Sequence, residues 1–226
     1  MDLLFRRLFI PLLVVSFALI GYANYLVFLV VPNERVMGAV QRIFYFHVGS
    51  AIACYCSVAL VLLGSIGYLA TRDSRADAVA RAAAEVGFLF CTITLVSGMI
   101  WGHSAWNTWF RWEPRLVTFL LLWFLLLAMN LLRVFGDPER TAMHSAVLGI
   151  LGALNVPLIV FSIDFLPQAH QLHPKVVGTR GLKDPSYYRA LAVSVFALAV
   201  FQFLLVSLRT RIEVLLRRKI VNPEER

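Results

Sequence analysis

The chain has 226 residues, 60% of them apolar or aromatic and 15% charged, with a net charge of +8 and a mean hydropathy of +0.76. A soluble domain carries about 45–50% apolar and about 25% charged residues, so a soluble fold is excluded, and so are collagen-like, disordered and disulfide-stapled chains. The composition predicts an all-α, polytopic integral membrane protein whose solvent is the bilayer.

A helix needs about 20 apolar residues to cross a hydrocarbon core of about 30 Å. Six runs meet that length within a single membrane domain over 1–226: 8–31, 43–70, 84–101, 116–132, 145–164 and 188–208. The first follows Arg6-Arg7 but is too long for a signal-peptide core and lacks a small-residue cleavage site, so it reads as a retained anchor. None of the runs alternates as barrel strands do. Thirteen Lys and Arg fall in the N-terminal segment, 72–83, 133–143 and the tail, against eight in 32–42, 102–115 and 165–189. The positive-inside rule then places both termini of these six predicted transmembrane helices in the cytoplasm. Segments 32–42, 102–115 and 165–189 share the outer face.

The excess of basic charge reads as a topology signal rather than a nucleic-acid footprint, although Arg217-Arg218-Lys219 in the tail also suit anionic headgroups. The short cytoplasmic segments hold no G-x-x-x-x-G-K-[ST] cradle, which excludes ATP hydrolysis through a P-loop of this chain. Cys54, Cys56 and Cys91 all lie in apolar runs and behave as small hydrophobes, and no C-x-x-C-H attachment motif occurs.

In chain order, the first residue to carry chemistry is Arg42, followed by His47 near the outer end of the second run. An ionisable ring at membrane depth is costly and reads as functional unless a neighbouring helix satisfies it. The next feature is Trp101-Gly102-His103-Ser104-Ala105-Trp106-Asn107-Thr108-Trp109-Phe110-Arg111-Trp112-Glu113-Pro114-Arg115. It packs four of the five tryptophans into twelve residues. An interfacial aromatic belt would spread them over many helix ends, so an outer-face loop over 101–115 that offers a flat platform to a planar ligand is the better reading. His103 reads as a solvated loop residue, and His144 as a headgroup-level residue of the inner face.

His170 follows the fifth run on the same face as His47 and the tryptophans. Two imidazoles beside an aromatic platform form a haem-like constellation, since neutral histidine is a standard axial ligand of iron. His173, three residues on, is a rival that spacing leaves open. Arg42 and Arg115 stand where propionates need partners, although snorkelling explains an arginine there equally well. Glu113 suits an indole N–H, Arg115 or plain loop surface.

The tryptophan segment resembles the signature W-G-x-x-x-W-x-x-W-x-W-D-x-R-L of the cytochrome c assembly proteins, which handle haem outside the cytoplasmic membrane. Within them, six helices and Arg42-Ile43-Phe44-Tyr45-Phe46-His47 resemble the heme exporter protein C (CcmC) family. The resemblance implies non-covalent haem b, ligated by His47 and His170 and covered by Trp101, Gly102, Trp106, Trp109 and Trp112, with Arg42 and Arg115 toward the propionates. It implies delivery to the haem chaperone CcmE, association with CcmA, CcmB and CcmD of an ABC-transporter-type complex, and no enzyme activity. Phe110 stands where Trp is usual and Glu113 where Asp is usual. Leu166-Pro167-Gln168-Ala169 departs from the family's pattern before His170, which keeps His173 in contention. The other classes are a docking subunit of a transporter complex and a b-type electron carrier, the latter lacking a second deep histidine pair.

Overall fold

The computed structural model describes residues 2–166 and 184–221. Helix α1 (Asp2–Tyr25) runs into a π turn at Leu26–Val30, and a 3-10 turn at Ala39–Arg42 leads into α2 (Ile43–Thr71). Helices α3 (Ser74–Trp106), α4 (Pro114–Phe135), α5 (Pro138–Phe165) and α6 (Pro185–Val221) follow. Each of the six is long and apolar enough to cross a membrane. The protein is an all-α, polytopic membrane protein.

Several helices outrun the apolar stretches that mark them in the sequence. Helix α3 begins at Ser74, well before residue 84, so the segment 72–83 is almost entirely helical. Alanine, the best helix former, dominates that stretch, and the Asp73 carboxylate caps it by accepting from the Arg75 N–H at 2.8 Å. Arg72, at φ 59°, ends α2 in the left-handed conformation. The small side chains let the helices approach closely: a Cβ on Gly64 would stand 2.8 Å from the Ala76 carbonyl oxygen. Helix α6 likewise continues to Val221 and carries Arg209, Glu213 and Arg217 on its last turns.

The central core joins α2, α3 and α4 through Val58, Val61, Phe90, Leu122, Leu126 and Met129. Interhelical hydrogen bonds hold it where water is absent. Gln202 Nε2 donates to Ser57 Oγ at 2.9 Å, Trp123 Nε1 to Thr92 Oγ1 at 2.9 Å, and Asn155 Nδ2 to the Thr118 carbonyl at 2.8 Å. A second cluster at one end of the bundle gathers Val27, Phe44, Tyr45, Trp101, Tyr187 and Leu191. We call this the aromatic end. There Tyr187 on α6 donates to the Pro32 carbonyl at 3.4 Å, and Arg115 on α4 reaches α5.

The opposite, ionic end is built from charges that the sequence reading had assigned to topology. Asp77 is 3% exposed and accepts from both terminal nitrogens of Arg133 and from Arg217 Nη2. Glu213, equally buried, accepts from Arg217 at 2.9 Å, Arg81 at 2.8 Å and Arg209 at 3.2 Å. Glu85 accepts from Arg209 and Arg81. Arg217 also donates to the Ser74 carbonyl at 3.1 Å, so the last turns of α6 are tied to the first turn of α3.

Candidate functional site

The chain enters α2 at the aromatic end through a turn that glycine permits: Gly38 has φ 58° and ψ −134°. The Glu34 carboxylate closes this turn by accepting the Met37 and Val36 N–H groups, both at 2.7 Å. Those two donors hold Glu34 below the ordinary carboxylate pKa. Arg42 ends the 3-10 turn with its guanidinium 5.9 Å from the centre of the Phe28 ring. Its Nε is buried without a hydrogen-bond partner among the described residues.

His47 lies one turn into α2 and meets α3. Its Nδ1 is 3.1 Å from the Thr94 carbonyl oxygen and 3.2 Å from Ser97 Oγ. Trp101 meets the imidazole edge-on, with ring centres 5.8 Å apart and planes at 63°. Phe44, one turn before His47, packs on the same indole at 5.9 Å.

The tryptophan segment divides into two parts. Trp101–Trp106 are the last turns of α3, and only 107–113 lies between α3 and α4. Asn107, at φ 53°, ends the helix, and the Thr108 N–H turns back onto the Gly102 carbonyl at 3.4 Å. A Cβ on Gly102 would stand 2.9 Å from the Thr108 carbonyl oxygen, so the fold-back requires glycine there. The loop expected over 101–115 is therefore helical over its first six residues. No proline interrupts α3 before Asn107, and the indole of Trp101 packs into the core against Phe44 of α2.

This division separates the tryptophans by environment. Trp101 is 5% exposed, whereas Trp109 is 55% and Trp112 81% exposed. Trp106 is half-buried, 5.7 Å from Trp101. His103, expected to be a solvated loop residue, instead sits on the last turns of α3 and stacks on Trp109 at 4.1 Å and 22°. Phe110 meets Trp112 edge-on at 5.3 Å. Glu113 is buried, 3.5 Å from Arg111, and precedes Pro114 at the start of α4. Arg115 points its guanidinium onto α5, donating to the carbonyls of Ile159 at 3.2 Å and Val160 at 2.7 Å.

The structure thus brings Arg42, His47 and the tryptophan segment to one end, with Arg115 spanning α4 and α5. His170 and His173 lie outside the described residues. Residues 2–224 match the family described as CcmC, heme exporter protein C. The chain belongs to the heme exporter protein C family. It is 34% identical to heme exporter protein C of Bradyrhizobium diazoefficiens over 190 residues, which cover 83% of this chain and 72% of that one. It is 30% identical to heme exporter protein C of Escherichia coli K12 over 192 residues, covering 83% of this chain and 76% of that one. A putative cytochrome c biosynthesis ccmC-like mitochondrial protein of Marchantia polymorpha is 30% identical over 153 residues, or 68% of this chain and 65% of that one.

In this member of the heme exporter protein C family, the residues that seat His47 were missed by the sequence reading. Thr94, Ser97, Gly98 and Trp101 fall at i, i+3, i+4 and i+7 on α3, and this single-face spacing was present in the sequence. The signal was hidden because Ser97-Gly98 inside an apolar run reads as ordinary helix-packing sequence.

Proposed function

We propose that this chain binds haem b non-covalently at the aromatic end, facing the outer side of the cytoplasmic membrane, and passes it to a CcmE-like chaperone. His47 and His170 are the proposed iron ligands, with His173 the rival to His170. Trp109 and Trp112, with the half-buried Trp106, provide the surface for the macrocycle, and Arg42 meets a propionate. Haem supplies the redox-active iron; the chain's residues bind, orient and release it, with no bond made or broken by the protein. CcmA, CcmB and CcmD are the proposed companions in a haem-export complex.

The observation that carries this reading is the state of the donors around His47. The Trp101 indole N–H and the Arg42 Nε are both buried without hydrogen-bond partners among the described residues. Buried donors are normally satisfied, and a carboxylate-bearing ligand would satisfy donors of this kind. The donor set also suits the group, because a neutral imidazole ligates iron while its second nitrogen is held by an acceptor. Arg115 supports the propionate role less directly, since it already donates to two α5 carbonyls.

The test is the visible spectrum of the purified protein, oxidised and reduced, beside His47→Ala, His170→Ala and His173→Ala. A low-spin b-type spectrum that weakens or turns high-spin in His47→Ala and in one of the other two supports the reading. No haem in any preparation, even after adding haemin, would overturn it in favour of a docking subunit.

A further inference from the structure

The seat of His47 on α3 deepens the haem reading above and rests on it. A carbonyl oxygen only accepts hydrogen bonds. The Thr94 carbonyl, 3.1 Å from Nδ1, therefore favours the imidazole proton on Nδ1. The Ser97 hydroxyl donates to the same carbonyl at 3.2 Å, which turns its lone pairs toward the ring, so Nδ1–H is shared between Thr94 and Ser97. The opposite tautomer would set an Nδ1 lone pair against the carbonyl lone pairs at the same distance. The arrangement selects one neutral form, with the proton on Nδ1 and the lone pair on Nε2.

Sterics reinforce the selection. A Cβ on Gly98 would lie 2.9 Å from Cε1 of His47 and 3.4 Å from Nδ1, so the ring rests on the bare backbone of α3. Trp101 packs beside it, and Phe44 packs on that indole. Such a ring has little freedom to turn over.

We propose that Ser97 and Gly98 are positioning residues for His47, fixing Nε2 as its iron-ligating nitrogen, and that Ser97 tunes the ring's donor strength by accepting Nδ1–H. An imidazole that donates to such an acceptor is a stronger base at its other nitrogen. A stronger donor favours ferric over ferrous iron, so loss of the Ser97 contact raises the midpoint potential. Outer partners of this type are worth about 10–100-fold in metal affinity.

The experiment uses the full chain in nanodiscs in two stages. In the haem-free protein labelled with 15N-histidine, the His47 resonances are assigned by their loss in His47→Gln. Wild type and Ser97→Thr are expected to show Nδ1–H, and Ser97→Ala an additional Nε2–H fraction. Haemin is then titrated and the bound iron poised electrochemically. Ser97→Ala is expected to keep a low-spin spectrum with about 10-fold weaker binding and a more positive midpoint potential. Ser97→Thr should restore both values, and Gly98→Ala should weaken binding further by displacing the ring. An Nε2–H tautomer in the wild type overturns the proposal, as does a Ser97→Ala variant matching the wild type in tautomer and potential. If the tautomers are as expected but no variant binds haemin, the haem reading and the ligand role fail together, while the seat of the ring stands.

Discussion

At the ionic end, four guanidinium groups interlock with the carboxylates of Asp77, Glu85 and Glu213 across α3, α4 and α6. At the aromatic end, Arg42 lies over Phe28 and enters no ion pair among the described residues, while Trp109 and Trp112 stay exposed. Both ends belong to one apolar bundle, yet at one each carboxylate meets at least two guanidinium groups, with Arg133 Nε left over, whereas at the other the Arg42 Nε and the Trp101 indole N–H meet no partner among the described residues. Saturated charges fix helices against one another. The unsatisfied Arg42 and Trp101 donors are the groups that the proposed haem reading puts to use.

The contrast breaks if substitutions at the two ends have the same consequences. Asp77→Ala has the largest expected effect, because it takes the carboxylate from the nearly buried Arg133 and leaves the half-buried Arg217 with Glu213 alone. Breaking a buried pair from one side costs about 3–5 kcal/mol. Thermal unfolding in detergent should show a marked loss, with the haemin spectrum of the folded fraction unchanged; a changed spectrum would mean that the ionic end belongs to the site.

Gly64→Ala comes next. Its new methyl would meet the Ala76 carbonyl oxygen and the Ala80 nitrogen at 2.8 and 2.9 Å, both backbone atoms of α3. Overpacking of this kind costs about 1–3 kcal/mol, again read by thermal unfolding with haemin binding intact. Arg42→Gln removes one exposed-to-half-buried cation–π contact worth about 0.5–1 kcal/mol, but it should weaken haemin binding clearly in a spectrophotometric titration. Trp112→Ala sharpens the contrast most. At 81% exposure it should leave stability within about 0.5 kcal/mol of wild type, while haemin affinity falls. A Trp112→Ala protein that unfolds early but binds haemin normally would make this tryptophan an anchor.

The helices were legible because uninterrupted apolar runs admit little else. Their ends were not, because continuation beyond the apolar stretch depends on different chemistry. Asp77, Arg81 and Glu85 stand four residues apart, as do Arg209, Glu213 and Arg217, which is the spacing of pairs on a helical face. Those two rows predict both extensions once they are read as pairs rather than as topology charges. The convergence of the candidate residues was legible in part: Arg42, His47 and the tryptophan segment do meet at one end. The sequence could not separate Trp101 from Trp112, since burial of the first depends on Phe44 approaching from another helix. It also showed no reason for Arg115 to lie on α5, a contact made across 44 residues of chain.

The knot of charges has a mechanical side. Three helices, α3, α4 and α6, are bound there as stems in a bouquet, so a small tilt of any one of them is felt most at the blooms. From the Asp77–Arg81 turn to Trp106, α3 extends about 40 Å at 1.5 Å per residue. A tilt of about 5° about the bound end therefore carries the far end through about 3–4 Å, the thickness of one aromatic ring.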